Sequence, residues 1–229
     1  MKRRVEPELL DNLPPGDPRA VSSRQDLRRV NAWMGNPMIM ANALKKSAGG
    51  NPVASILELG AGDGYFLLTV ARKLSALWAN VKAAALDRQL NISPATSAAF
   101  ADLRWELTAM TADVFEWLPP ADGQSAILAN LFLHHFADDR LAELLRKIAG
   151  GTRLFIAVEP RRMAWPALGG MLLALIGCND VTRHDGTVSI RAGFAGREIS
   201  DLWPEPHRWQ LTEKRSGFFS HLFIARRLG

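Results

Sequence analysis

The stretch ILELGAGDGYFLL, residues 56–68, sets glycines at 60, 62 and 64 between an apolar run and a segment of helical spacing. Glycine reaches backbone conformations closed to other residues, so the chain turns tightly here between a strand and a helix. What the turn holds is limited by its neighbours. A Walker-type phosphate loop ends in Lys followed by Ser or Thr, but Gly64 is followed by Tyr65 and Phe66. A dinucleotide loop reads G-x-G-x-x-G, whereas this one runs Gly60-Ala61-Gly62-Asp63-Gly64. Asp63 would place negative charge where a pyrophosphate sits. The turn therefore suits a ligand that is cationic or uncharged.

Around this loop, short apolar runs alternate with helix-period segments, the pattern of crossover units feeding a parallel sheet. Strands are predicted at residues 55–59, 81–86, 104–110, 125–131 and 152–159. The helix after the loop carries Leu67, Val70, Ala71, Leu74 and Leu77 on one face. Ser93 and Pro94 have the residue types of an N-cap and first helical position, opening a helix to about residue 102. Leu141, Leu144, Leu145 and Ile148 fall at helical spacing before a stop at Gly150 and Gly151. Two extended runs around Ser216 and Gly217 close the chain as a hairpin, with Trp209, Leu211 and Glu213 alternating with polar residues. Ahead of the first strand, residues 1–21 contain four prolines and read as an extended arm. Ser22 or Ser23 then caps a helix to Met34, and a second helix covers residues 37–47.

At 229 residues, 48% hydrophobic and 22% charged, the chain is one globular domain. The single Cys178 has no internal partner, and with no apolar leader after MKRRVEPELL a cytoplasmic location is expected. The apolar stretch at residues 163–178 is too short to span a bilayer, which takes about 20 residues, and reads as a buried or pocket-covering helix. The net charge of +5 is diffuse: residues 1–30 carry seven Lys or Arg against five acids. This is a mixed arm and not a polycationic tail.

ELGAGDG resembles the first motif of class I S-adenosylmethionine-dependent methyltransferases. The resemblance runs over about residues 51–227 in four ordered pieces. It implies an α/β fold, a Rossmann-like seven-stranded, mostly parallel sheet with helices on both faces and a C-terminal antiparallel hairpin. Residues 51–229 would form this domain, with residues 1–50 covering its active site. S-adenosylmethionine (SAM) is the implied cofactor. By the resemblance, the Gly60, Ala61, Gly62 and Gly64 backbone approaches its amino-acid and sulfonium portion, and Glu58 orients its ammonium. Asp87, in ALDRQ with Arg88 beside it, accepts the ribose hydroxyls; Asp113, followed by Val114, contacts the adenine; Asn130 lies near the methionine part. No metal is expected.

Open α/β folds bind ligands at the ends of their strands, and His134 and His135 follow the fourth. An imidazole there suits deprotonation of a phenol. His184 lies in the polar, glycine-punctuated segment at residues 179–196, where this family often builds substrate pockets. His207 and His221 read as structural. Phe132, Trp165 and Phe194 are candidates to wall a pocket for a planar or greasy molecule, and Arg161, Arg162, Arg183 and Arg191 to meet an acidic group on it. The region after strand four lacks the prolines of base-modifying nucleic-acid enzymes, which disfavours a nucleic-acid partner. NLFLHHF (residues 130–136) and EPRR (residues 159–162) resemble, more narrowly, bacterial methyltransferases that act on quinones, phenols and polyketide-derived aromatics, which implies O-methylation of a small, largely apolar aromatic or polyketide-like acceptor. A carbon-directed reaction on a quinol ring and a cofactor-binding scaffold without turnover are the alternatives, and a homodimer stays open.

Overall fold

The computed structural model describes residues 2–14, 16–49, 51–119, 125–163 and 166–228. Seven strands form one sheet: β1 (Ser55–Leu59), β2 (Lys82–Asp87), β3 (Glu106–Thr111), β4 (Ala126–Asn130), β5 (Leu154–Pro160), β6 (Trp209–Ser216) and β7 (Ser220–Arg227). Their order is β3-β2-β1-β4-β5-β7-β6. The first five are parallel, and β7 runs antiparallel to both β5 and β6. The strand order reverses between β1 and β4, so the ends of those two strands open a crevice of the kind where α/β sheets hold ligands.

Helices cover both faces. They are α1 (Leu9–Asn12), α2 (Pro18–Met34), α3 (Asn36–Ser47), α4 (Tyr65–Leu74), α5 (Pro94–Asp102), α6 (Asp138–Gly151), α7 (Pro166–Leu175), α8 (Asp180–Ala192) and α9 (Glu198–Leu202). The strands bury alternate residues on the two sides, as a period of two requires. Ile56, Leu128 and Ile156 join Met40 and Leu44 of α3 and Leu67, Val70 and Leu74 of α4 in one core. Leu57, Ile127 and Phe155 join Leu141, Leu144, Leu145 and Ile148 of α6 in the other. None of the helices among the described residues is long and apolar enough to cross a membrane.

Several predicted boundaries move, each for a local reason. The α2 helix starts at Pro18 because Asp17 takes the N-cap, its carboxylate accepting from the Arg19 N–H. Ser23 is instead buried within the helix, its hydroxyl 2.8 Å from Thr182 Oγ1. Arg104 and Leu131 have left-handed φ of 58° and 50°, so neither continues its strand. Leu77 lies past the end of α4 and is exposed. Most of the segment at residues 179–196 is helix α8, started by Asn179, whose side chain accepts from the Thr182 N–H. The arm is not simply extended: it contains the turn of α1, and Asp185 of α8 accepts from the Leu9 and Leu10 N–H groups at 2.8 and 3.0 Å.

The glycine loop makes the closest demand on residue type. Gly60 has φ of 70°, and a Cβ there would sit 2.3 Å from Cδ2 of Phe132. Gly62, with φ of 55°, faces open space. Gly60→Ala should therefore cost both the roughly 1–3 kcal/mol of a strained backbone and the displacement of Phe132, while Gly62→Ala carries the backbone term alone. Urea denaturation of the two variants checks this, and equal losses of stability would contradict the Phe132 contact.

Candidate active site

Between the ends of β1, β2 and β4, under α2 and the N-terminal arm, lies a cavity of about 1040 Å³. Its first end is the glycine loop, which hangs from the end of β2. The Gly60 and Ala61 N–H groups donate to Leu86 O, at 2.9 and 3.1 Å. The Gly62 N–H donates to Asp87 Oδ2 at 2.9 Å, and the other Asp87 oxygen accepts from the Gln89 N–H at 2.7 Å. A carboxylate thus fixes the tip of the turn and still borders the cavity. Gly64, with φ of 70°, occupies the N-cap of α4. Asp63 accepts from the Tyr65 N–H at 3.0 Å and pairs with Arg28 of α2, 2.7 Å away, and that guanidinium lies 4.4 Å from the Tyr65 ring centre.

Glu58 is 2% exposed at the cavity wall, and its Oε2 has no hydrogen-bond partner. Burial pushes this carboxyl well above the usual range, and the negative charges of Asp63 and Asp87 push it further. A buried carboxyl with one oxygen unpartnered, beside two other acids, is stabilised by an incoming cation. Asp113 accepts from the Phe115 N–H at 2.8 Å and has Arg88 at 3.9 Å; Val114 is buried beside it. Arg88 is largely exposed at the rim. Asn130 is already engaged: it accepts from Asn36 at 3.1 Å and donates to Asn31 at 2.9 Å, and Ser220 donates to Asn36 at 2.6 Å. This buried network ties α2 and α3 to the sheet.

The second end follows β4, where residues Leu133–His135 form a 3₁₀ turn. Glu159 of β5, fully buried, accepts from the N–H groups of Phe132, Leu133 and His134. It also meets His134 Nδ1 at 2.9 Å. From the other side the arm brings Glu8, with Oε1 3.4 Å from His134 Nε2 and bonded to the Ser189 hydroxyl. Burial alone would lower the His134 pKa, but its bonds to Glu159 and Glu8 raise it to about 9. Burial likewise works to raise Glu8, and His134 and His135 overcome it, bringing the carboxyl down to about 2. His135 is shifted the opposite way from His134, lowered by burial and then by the charge of His134. Its side chain is 27% exposed and borders the cavity, with Asp11 Oδ2 3.7 Å from Nδ1. The two ring nitrogens of His134 thus each meet a carboxylate, Nδ1 that of Glu159 and Nε2 that of Glu8.

The geometry brings Glu58, Gly60, Ala61, Gly62, Asp87, Arg88, Asp113, Val114, Asn130, His134 and His135 to one cavity, with Gly64 starting the adjoining helix. His184 does not join them. It lies half-exposed on α8, bonded to Asp185 at 3.0 Å, because the helical turn that aims Asp185 at the arm carries its neighbour outward. Phe194 is core, with Arg3 over its ring, while Phe132 does border the cavity; Trp165 lies outside the described residues. Arg162 is committed to Glu198 and Gly193, and Arg161 to the Phe218 carbonyl. Arg183 is exposed, and neither it nor Arg191 borders the cavity. Glu8, Arg28, Asn36 and Glu159 are the site residues that the sequence did not disclose.

Neither a protein-family model nor a curated protein matches the sequence. Solved structures do. The plantazolicin methyltransferase BpumL in complex with SAH (S-adenosylhomocysteine) is 15% identical, with a TM-score of 0.66 over 93% of this chain and 92% of its own. BamL, another plantazolicin methyltransferase, gives 12% and 0.65 over 93% and 92%. Magnesium protoporphyrin IX methyltransferase from Synechocystis gives 10% and 0.56 over 89% and 86%. The chain has the fold of these methyltransferases. On that methyltransferase fold, the closing β6–β7 hairpin and the crevice beside β1 are where the resemblance in sequence placed them.

The methyltransferase fold leaves Glu58 as a buried acid with a raised pKa, which fixes the sign of a pH effect. Such a group binds its proton more tightly folded than unfolded, so its contribution to stability falls as pH rises above about 4.5 toward its folded pKa. Glu58→Gln should thus match the wild type near pH 4 and be progressively more stable than it at higher pH, read by chemical denaturation without ligand. A difference that stays constant with pH would contradict a proton held at Glu58.

Proposed function

We propose that the protein is a SAM-dependent methyltransferase acting on a small, largely apolar aromatic acceptor, with transfer to oxygen. The observation that carries this reading is Glu58, a buried carboxyl with an unpartnered oxygen facing the same cavity as the glycine loop and two further acids. That donor set fits an ammonium and a sulfonium better than a pyrophosphate. Glu58 would hold the ammonium of SAM. The loop at Gly60, Ala61, Gly62 and Gly64 would admit its methionine part, with Asn130 bordering that part of the cavity. Asp87 would take the ribose hydroxyls; Asp113, Val114 and Arg88 would flank the adenine. When bound, SAM supplies an electrophilic methyl group.

The remainder of the cavity is assigned to the acceptor. Phe132, Phe136, Leu173 and Phe219 give it apolar walls, and His134, His135 and Glu8 give it a polar pole. Ligand pockets of this character fix orientation with a few polar groups and take their affinity from apolar contact. A phenol seated there would present its hydroxyl to His135, the imidazole whose pKa is lowered, and would pass its proton to that ring, leaving the nucleophilic oxygen in place. Orientation of two bound reactants supplies several kcal/mol toward such a displacement. The arm, α2 and α3, which together make up residues 1–50, would serve as the roof that keeps water out. The α7 helix adds Gly169 and Leu173 to the wall. That the BpumL structures hold monoazolic, triazolic and pentazolic desmethylPZN analogs supports a planar aromatic acceptor. Loss of a quinol proton at the same pole would also prepare a ring carbon for methylation, and NMR of the product separates the two atoms.

Incubation of the purified chain with methyl-labelled SAM and a panel of phenols, quinols and azoles should yield labelled product with the methyl group on oxygen. Binding of SAH without transfer to any acceptor would favour a scaffold instead. Asp87→Ala should weaken SAH binding by roughly 1.5–3 kcal/mol, the range for hydrogen bonds that involve a charged group; unchanged affinity would remove Asp87 from the cofactor site. His135→Ala should lower turnover by on the order of 10²-fold with SAH affinity retained, and full activity would remove it from the pole.

A further inference from the structure

We infer that Glu8, His134 and His135 form a binding site for one divalent transition-metal ion of the zinc type. The three side chains each offer one donor atom, and these atoms all lie within 4.8 Å of one another. The 3.4 Å between His134 Nε2 and Glu8 Oε1 is long for a hydrogen bond to a ring nitrogen, for which 2.7–3.2 Å is usual. It matches the edge of a tetrahedron: two ligands each about 2.0–2.1 Å from zinc stand roughly 3.3 Å apart.

The surroundings of His134 carry the argument further. A metal-binding histidine nearly always gives its other ring nitrogen to a carboxylate or carbonyl, which sets the tautomer and aims the free nitrogen. Glu159 occupies that position, 2.9 Å from Nδ1, and is itself held by three backbone N–H groups. Nε2 is left aimed at Glu8 and the cavity. Glu8 is fixed in turn by the Ser189 hydroxyl, and the backbone just after it by Asp185. Asp11 Oδ2, 3.7 Å from His135 Nδ1, adds a further carboxylate beside the group.

Two imidazoles and a carboxylate suit zinc, cobalt, nickel or iron, whereas magnesium and calcium take oxygen ligands. The cluster borders the cavity, so an ion with three protein ligands keeps a position open toward it, the arrangement of reactive rather than purely structural zinc sites. The ion would also lock the arm to the turn after β4, joining residues more than a hundred positions apart in sequence. The inference stands apart from the methyl-transfer reading, since it concerns ligand atoms alone.

The test is metal retention by the full chain. Protein stripped with a chelator, loaded with Zn²⁺ and desalted should retain one zinc per chain by elemental analysis. Glu8→Ala and His135→Ala should retain at least tenfold less while keeping the wild-type circular dichroism. Co²⁺ loaded in place of Zn²⁺ should give the intense visible bands of a four- or five-coordinate site in the wild type. Zn²⁺ should also raise the wild-type melting temperature and leave that of each folded variant unmoved. No retained zinc in the wild type, or equal retention in the wild type and both variants, overturns the proposal. Should both variants fail to fold, weak octahedral bands with Co²⁺ in the wild type overturn it. Titration of SAH into the metal-free chain is independent of these outcomes and addresses the methyl-transfer reading alone.

Discussion

Three residues in five, Gly60, Gly62 and Gly64, take left-handed backbone conformations between β1 and α4, and the rest of the site depends on that sequence of turns. The bends bring the loop back over the end of β2, where Leu86 O and the Asp87 carboxylate receive three of its N–H groups. Because Gly60 has no side chain, the Phe132 ring can lie directly against it. The start of the turn after β4 is thereby seated beside the loop after β1. Those are the two places at which the strand order diverges and a crevice opens. Glu58 is carried to the wall of that crevice near the end of a buried strand, with its Oε2 left unpartnered.

The part of the cavity wall that follows β4 rests on one carboxylate. Glu159 collects three backbone N–H groups and one imidazole nitrogen, which holds the Leu133–His135 turn in shape and leaves the other ring nitrogen of His134 to meet Glu8. The N-terminal arm completes this end from outside the sheet by adding Glu8. The two poles differ in what they lack. Glu58 has an unmade interaction and waits for a cation, whereas His134 is already held between two acids. The cavity thus combines an acid with an unpartnered oxygen, an imidazole pair and aromatic walls.

Features that rest on adjacent residues were legible in the sequence. The apolar run before the glycines, the acid closing β2 and the Ser93-Pro94 helix start all signal through neighbours, and each stands where its local chemistry put it. Asp113 follows the same rule, its carboxylate bonded to a backbone group two residues on. What stayed hidden depends on contacts across the chain. Glu8 meets His134 over 126 positions, and Glu159 meets the same imidazole over 25; no spacing or periodicity announces either. His184 shows the reverse error, since a histidine in a polar segment looks free to serve a pocket until the segment proves to be a helix with a fixed outer face. Asp17 and Pro18 together outcompeted the two serines for the start of α2, a contest that residue preference alone leaves open.

Crystals of the protein soaked with SAH test the central claim most directly. The account predicts the amino-acid portion against the Gly60–Gly64 loop with its ammonium within hydrogen-bond distance of Glu58 Oε2, the ribose at Asp87 and the adenine beside Asp113. A crevice that stays without ligand at saturating SAH, or that accepts a nicotinamide dinucleotide in its place, would contradict it.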